Sequence, residues 1–164
     1  MINWKHTGRA LLVEIEADLK VEENGSWLAL GISKDDIMGN DTVFECHFSK
    51  RGKSSVHLSH NLKNSNQLLP EATEMLLKDS YAEIHDGRAL CGTEWMLDFT
   101  VLEPNEKKLI HRISSGKYHL MFAFGGLSAD SKKEAHELVG EGAPWRSNDQ
   151  TRFCSRCPTE ILDV

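Results

Sequence analysis

Alternation of apolar and polar residues, segment after segment, is the property that most restricts how this chain can fold. From Ala10 to Ala17, Leu11, Val13, Ile15 and Ala17 fall on one face of an extended strand and Glu14 and Glu16 on the other, with Leu12 the exception. Thr42 to Phe48 repeats the pattern, setting Phe44, Cys46 and Phe48 against Glu45 and His47. Between these two segments, Trp27 to Ser33 is a short apolar run, as expected of a strand buried on both sides. Turn-forming clusters at 23–26, 34–40 and 51–54 separate the segments, and Asp86-Gly87 is a hairpin signal. Further strands are expected over Ser55–His60, Tyr81–Ile84, Arg88–Cys91, Glu94–Phe99 and Tyr118–Phe124. Residues 61–67 read as polar loop, Pro70–Leu77 as a short helix, and the pattern is lost after Gly125. About eight short strands with little helix point to an all-β, antiparallel sandwich. The 164 residues fit one domain, expected over 1–150, with 151–164 as a C-terminal tail.

Composition narrows the function classes. The chain has 25 acidic against 19 basic residues, a formal charge of −6, and its bases are scattered. That argues against nucleic acid and against an anionic membrane surface as partner. No apolar run approaches the ~18–20 residues of a membrane span. The first residues do not read as a signal peptide, whereas sequons at Asn24 and Asn40 lean toward a secreted context. The four cysteines, Cys46, Cys91, Cys154 and Cys157, permit two disulfides in three pairings.

Motifs for nucleophilic, nucleotide or zinc-protease chemistry are missing from the sequence. Cys154-Ser155-Arg156-Cys157 has no second C-x-x-C with which to build a zinc site, so a local disulfide or a pair of thiols is expected. His57 and His60 are three residues apart in an expected strand, hence on opposite faces, which argues against one metal ion between them. Met38 stands out. It is an apolar thioether in the polar loop Asp35–Asp41, fitted either to plug one end of the sandwich or to act as a soft ligand for haem iron or copper.

Trp27-Leu28-Ala29-Leu30-Gly31-Ile32-Ser33, a spacer, and Met38-Gly39-Asn40-Asp41-Thr42-Val43 together resemble the signature of the DOMON domain. Asp86-Gly87-Arg88-Ala89-Leu90-Cys91 and Ser115 to Gly125 are similar to later strands of that family, so the resemblance runs from about Glu14 to Trp145. The likeness is greatest to the extracellular DOMON domains of ferric-chelate-reductase-like membrane proteins, which carry cysteines at the places of Cys46 and Cys91. It implies an immunoglobulin-like β-sandwich, a Cys46–Cys91 disulfide, and Cys154 left to pair with Cys157.

Several DOMON domains, among them the plant auxin-responsive cytochrome and the cytochrome domain of fungal cellobiose dehydrogenase, are b-type cytochromes. Their haem is held by the Met of the Met-Gly loop and a His after the late strand. Carried over, the resemblance implies Met38 and His136 as axial ligands of haem b, with His119, on the late strand itself, as the competitor. Trp27, Phe44, Met121 and Phe122 are candidate haem walls, in a pocket expected at one end of the sandwich between its loops. Arg146, Arg152 and Lys132 are candidate propionate partners. Two axial ligands would leave no open position on the iron, so the expected role is one-electron transfer rather than substrate turnover. The partners implied are small reductants such as ascorbate and a redox protein or membrane cytochrome. The chain itself carries no membrane-embedded segment and is expected in an extracellular or lumenal setting, as an ectodomain or a free carrier. Other members of the family are haem-free, so the alternative is a module for a carbohydrate or catechol-type ligand. A copper site of Met38 with His57 or His60 is the third reading.

Overall fold

A computed structural model describes residues 1–50, 52–63, 65–140, 142–153 and the backbone of 160–162. Its strands are β1 (Ile2–His6), β2 (Ala10–Asp18), β3 (Gly25–Ser33), β4 (Asp41–Ser49), β5 (Ser55–Leu62), β6 (Ser65–Leu68), β7 (Leu77–His85), β8 (Arg88–Met96), β9 (His119–Gly126), β10 (Trp145–Arg146) and β11 (Glu160–Leu162). Helix α1 (Pro70–Leu76) and the single turn α2 (Pro104–Lys107) complete the regular structure, with a 3-10 turn at Phe99–Val101. All neighbouring strands run antiparallel, in a first sheet ordered β11-β1-β2-β8-β7 and a second ordered β10-β9-β3-β4-β5-β6. The antiparallel sandwich expected from the alternation is therefore the architecture found. No helix among the described residues is long and apolar enough to cross a membrane.

Period-two alternation builds the core. Leu11, Val13 and Ile15 of β2 turn inward and are buried, while Leu12 stays exposed. From the second sheet Leu28, Leu30 and Ile32 of β3 and Phe44, Cys46 and Phe48 of β4 meet them. Trp95 of β8 is fully buried, its ring centroid 6.5 Å from that of Phe44. Helix α1 closes one end by burying Ala72 and Leu76, and Glu106 of α2 accepts from the Ala72 N–H at 2.6 Å, an anion at a helix N-terminus.

Cys46 and Cys91 form a disulfide, Cα–Cα 6.5 Å, that ties β4 of one sheet to β8 of the other. This is the pairing the resemblance implied. Cys154 and Cys157 lie outside the described residues.

Three expectations change. The first residues, not read as a strand, pair with β2 because Ile2 and Trp4 alternate into the core. The polar segment 61–67 holds β6, whose four side chains are all exposed and so give no apolar period. The segment beyond residue 150, expected as a tail, buries Phe153 against Trp4 at 5.4 Å between centroids, and β11 pairs with β1.

Candidate functional site

Strand β3 is buried along its whole length, as its apolar run predicts, yet only alternate residues reach the core. Trp27, Ala29 and Gly31 face outward, and their cross-strand neighbours set the floor of a cleft on the outer face of the second sheet. Trp27 lies between His47 and Gly125, Ala29 between Glu45 and Ala123, and Gly31 between Val43 and Met121. Small side chains at 29, 31 and 123 leave a trough bounded by the large ones at 27 and 121. A Cβ on Gly125 would stand 2.9 Å from the Trp27 indole nitrogen, so glycine there is what lets the ring lie across β9.

The chain after β9 walls the trough. Leu127 and Lys133 form a bridge, and the Glu134 N–H donates to the Gly126 carbonyl at 3.0 Å. Trp27 donates its Nε1–H to the Glu134 carbonyl at 3.0 Å. This strap, Pro144 to Arg146, the Met38 loop and β6 enclose a cleft of about 890 Å³. That is near the upper end of the roughly 300–1,000 Å³ of small-molecule sites.

Met38 and His136, far apart in sequence, both line this cleft. Met38 is 48% exposed, so the thioether is neither plug nor core. His136 is half-buried, its ring 6.4 Å from Trp27. Its Nδ1 sits 2.8 Å from the Glu137 carbonyl. A carbonyl only accepts, so Nδ1 carries the proton and Nε2 keeps its lone pair, the state in which histidine ligates metals.

Of the other expected residues, Trp27 and Met121 line the cleft. Phe122 contributes to it while belonging to the inner core. Phe44 does not line it: alternation on β4 sends this fully buried ring inward, toward Trp95. The pocket is likewise not at the end of the sandwich but on a sheet face, because residues 128–140 and 142–146 fold back over β3 and β9. His119 shares the outer face with Met121, but its Nδ1 lies 3.2 Å from the Ser147 carbonyl and it is not among the lining residues. Arg146 lines the cleft and pairs with Asp36 at 2.7 Å, tying the Met38 loop to β10; Lys132 pairs with Asp130 at 2.5 Å; Arg152 is exposed. His57 and His60 point to opposite faces, as their spacing requires. Among the described residues no group of three or more His, Cys, Asp or Glu side chains is placed to hold a metal ion.

The polar half of the outer face was not anticipated. Glu45, fully buried, takes Lys133 at 2.5 Å and Ser59 at 2.6 Å on one oxygen and His47 at 3.0 Å on the other. Burial alone would raise its pKa, but the His47, Lys133 and Ser59 contacts outweigh that and hold it at about 2. The Lys133 ammonium also lies 4.8 Å from the Trp27 ring centroid, a cation–π contact. Asn66 reaches Ser59 and Asn61, and Asn61 reaches Asp41, continuing the network toward the Met38 loop. Burial, then the His47 ring 5.0 Å away, pushes the His57 pKa down. The sequence sign of this network was the polar pair Glu45 and His47 on one face of the alternating strand Thr42–Phe48.

A comparison of the chain with protein-family models and with curated proteins finds no match to either.

Proposed function

We propose that the outer-face cleft holds haem b between Met38 and His136, and that the domain is a DOMON-type, immunoglobulin-like electron carrier. The observation that carries this reading is that those two residues, singled out in the sequence, line one cleft. The lining fits the group. Ala29, Gly31 and Ala123 offer a flat apolar floor, Trp27 and Met121 stand at its ends, and His136 keeps its Nε2 lone pair available. When bound, the haem supplies a one-electron couple, which a thioether ligand shifts toward the ferrous state.

The chain's own residues do the rest. The Glu137 carbonyl fixes the His136 tautomer, the Trp27 indole seats the strap, and the apolar floor excludes water. Met38 and His136 would hold the haem, and the chemistry it would supply there is one-electron transfer rather than substrate turnover. Small reductants such as ascorbate and a redox protein or membrane cytochrome are the partners that follow from this. The inter-sheet disulfide supports an extracellular or lumenal setting, where such bonds persist.

Haemin titration followed at the Soret band tests the reading. The parent should give a low-spin spectrum, and both Met38→Ala and His136→Ala should convert it to high-spin or abolish binding. A parent that takes up no haemin, or a His136→Ala variant that stays low-spin while His119→Ala loses the spectrum, counts against it. A haem-free module for a polyhydroxyl ligand is the second reading, supported by Asn61, Asn66 and Ser65 opposite Trp27 in the cleft. Calorimetric binding of a simple sugar by colourless protein would favour it.

A further inference from the structure

His136 belongs to no strand or helix, and a ligand on irregular chain is only as well placed as its supports. Besides the Glu137 carbonyl and the Trp27 ring, its supports lie just before it. Glu134 makes the backbone tie to Gly126 and accepts from Trp27, and Lys133 sends its side chain along the Trp27 ring to buried Glu45. Glu45 cannot swing away, because both its oxygens are occupied, one by Ser59 and Lys133 and the other by His47. A buried ion pair is often no more stabilising than a well-packed apolar pair, but it is directional. What an apolar pair would not supply here is a fixed length and direction between β4 and the strap.

We propose that Lys133 and Glu45 are positioning residues for His136: their ion pair, laid across Trp27, latches the strap so that the histidine stands against the cleft. This rests on the haem reading for its consequence, though not for its geometry. Both side chains also line the cleft. Both act through the three-residue span from Lys133 to His136. Because the anchor strand β4 also begins at the Met38 loop, the latch sets the two ligands in one frame.

Haemin titration of Lys133→Met, Lys133→Arg and Glu45→Gln tests this, beside amide exchange of the haem-free proteins over 133–137. Lys133→Met should weaken haemin binding by about tenfold or more, the usual loss when a ligand's support is removed, and shift the spectrum toward high-spin. Lys133→Arg, which keeps the charge, should restore the low-spin form. Lys133→Met that remains low-spin with affinity within about twofold of the parent overturns the proposal. If Glu45→Gln does not fold, the Glu45→Leu/Lys133→Met double variant decides. It replaces the pair with apolar contact and should still lose the low-spin form, and retention of that form overturns the latch. If the parent binds no haemin, the haem reading fails by itself and exchange settles the latch. The Glu134 amide, which donates to the Gly126 carbonyl, should exchange about tenfold faster in Lys133→Met, and an unchanged rate overturns it.

Discussion

The two faces of the second sheet are made by the same strands and solve burial in different ways. On the inner face Leu28, Leu30, Ile32, Phe44 and Phe48 meet the other sheet in one apolar cluster. On the outer face Trp27, Ala29 and Val43 are buried just as deeply, but under an irregular strap held by an ion pair and an indole hydrogen bond. The inner face is a core, indifferent to small changes in chemistry as long as volume is kept. The outer face trades that tolerance for a concave surface. A sheet that buries both faces need not have two cores; here the second one was left partly unfilled, and that space is the site.

The sharpest way to break the contrast is to remove volume from each face. Trp95→Ala on the inner side should cost about 3–5 kcal/mol in urea unfolding. Met121→Ala on the outer side, half-buried, should cost roughly 1 kcal/mol. Equal losses would mean that the outer face is a core as well. Next in size is the disulfide. Its closed loop, with a sequence separation of 45, should contribute about 3–4 kcal/mol in the chain-entropy model, read as the drop in stability of Cys46→Ala/Cys91→Ala.

Acid sharpens the comparison in two stages. On the inner side His60 and His111 are buried, with pKa values pushed below the usual 6.5: by burial for both, and for His111 next by Lys34. Asp41 opposes the shift at each site without reversing it, and His60 adds to the lowering at His111. The unfolded chain then takes up protons that the fold refuses. Stability is therefore full above about pH 7.5 and falls as pH drops through 6.5, by at most ~1.4 kcal/mol per pH unit for each histidine. On the outer side His57, whose pKa burial also pushes below 6.5, adds to this first stage, and Glu45 acts later. Its pKa is lowered from 4.5 to about 2, so its contribution persists above pH 4.5 and is lost as pH falls toward 2. Thermal melts from pH 8 to pH 2 should show both stages, and His60→Phe should blunt the first alone. The smallest effect is expected at the strap's exposed end. Leu138 and Val139 are 82% and 80% exposed, and replacing either with serine should change stability by no more than about 0.5 kcal/mol in the same melts.

The sequence spoke clearly wherever burial has a period. β2, β3 and β4 were readable because Leu11, Val13, Ile15 and Phe44, Cys46, Phe48 repeat every second residue. The same rule, applied fully, would have sent Phe44 inward rather than into a haem wall. β6 was invisible because its four side chains are all exposed and give no apolar period. Met38 stood out as a thioether in a polar loop and His136 came from a resemblance, and nothing local in the chain states that they share a cleft. The latch was beyond reach for the same reason. Lys133 and Glu45 are 88 residues apart, and one lysine of the Lys132-Lys133 pair in a polar segment looks like any solvated base.

Finally, the covalent tie between the sheets divides the molecule mechanically. A chain pulled from outside Cys46 and Cys91 cannot lengthen through the stretch between them, which hides roughly 150–160 Å of contour while the bond is intact. That shielded stretch carries β5, β6, α1 and β7. Met38 and Trp27 precede it, whereas Met121, Lys133 and His136 follow it. Under tension the stapled middle keeps its length, so extension falls on the two flanks, which carry opposite walls of the cleft.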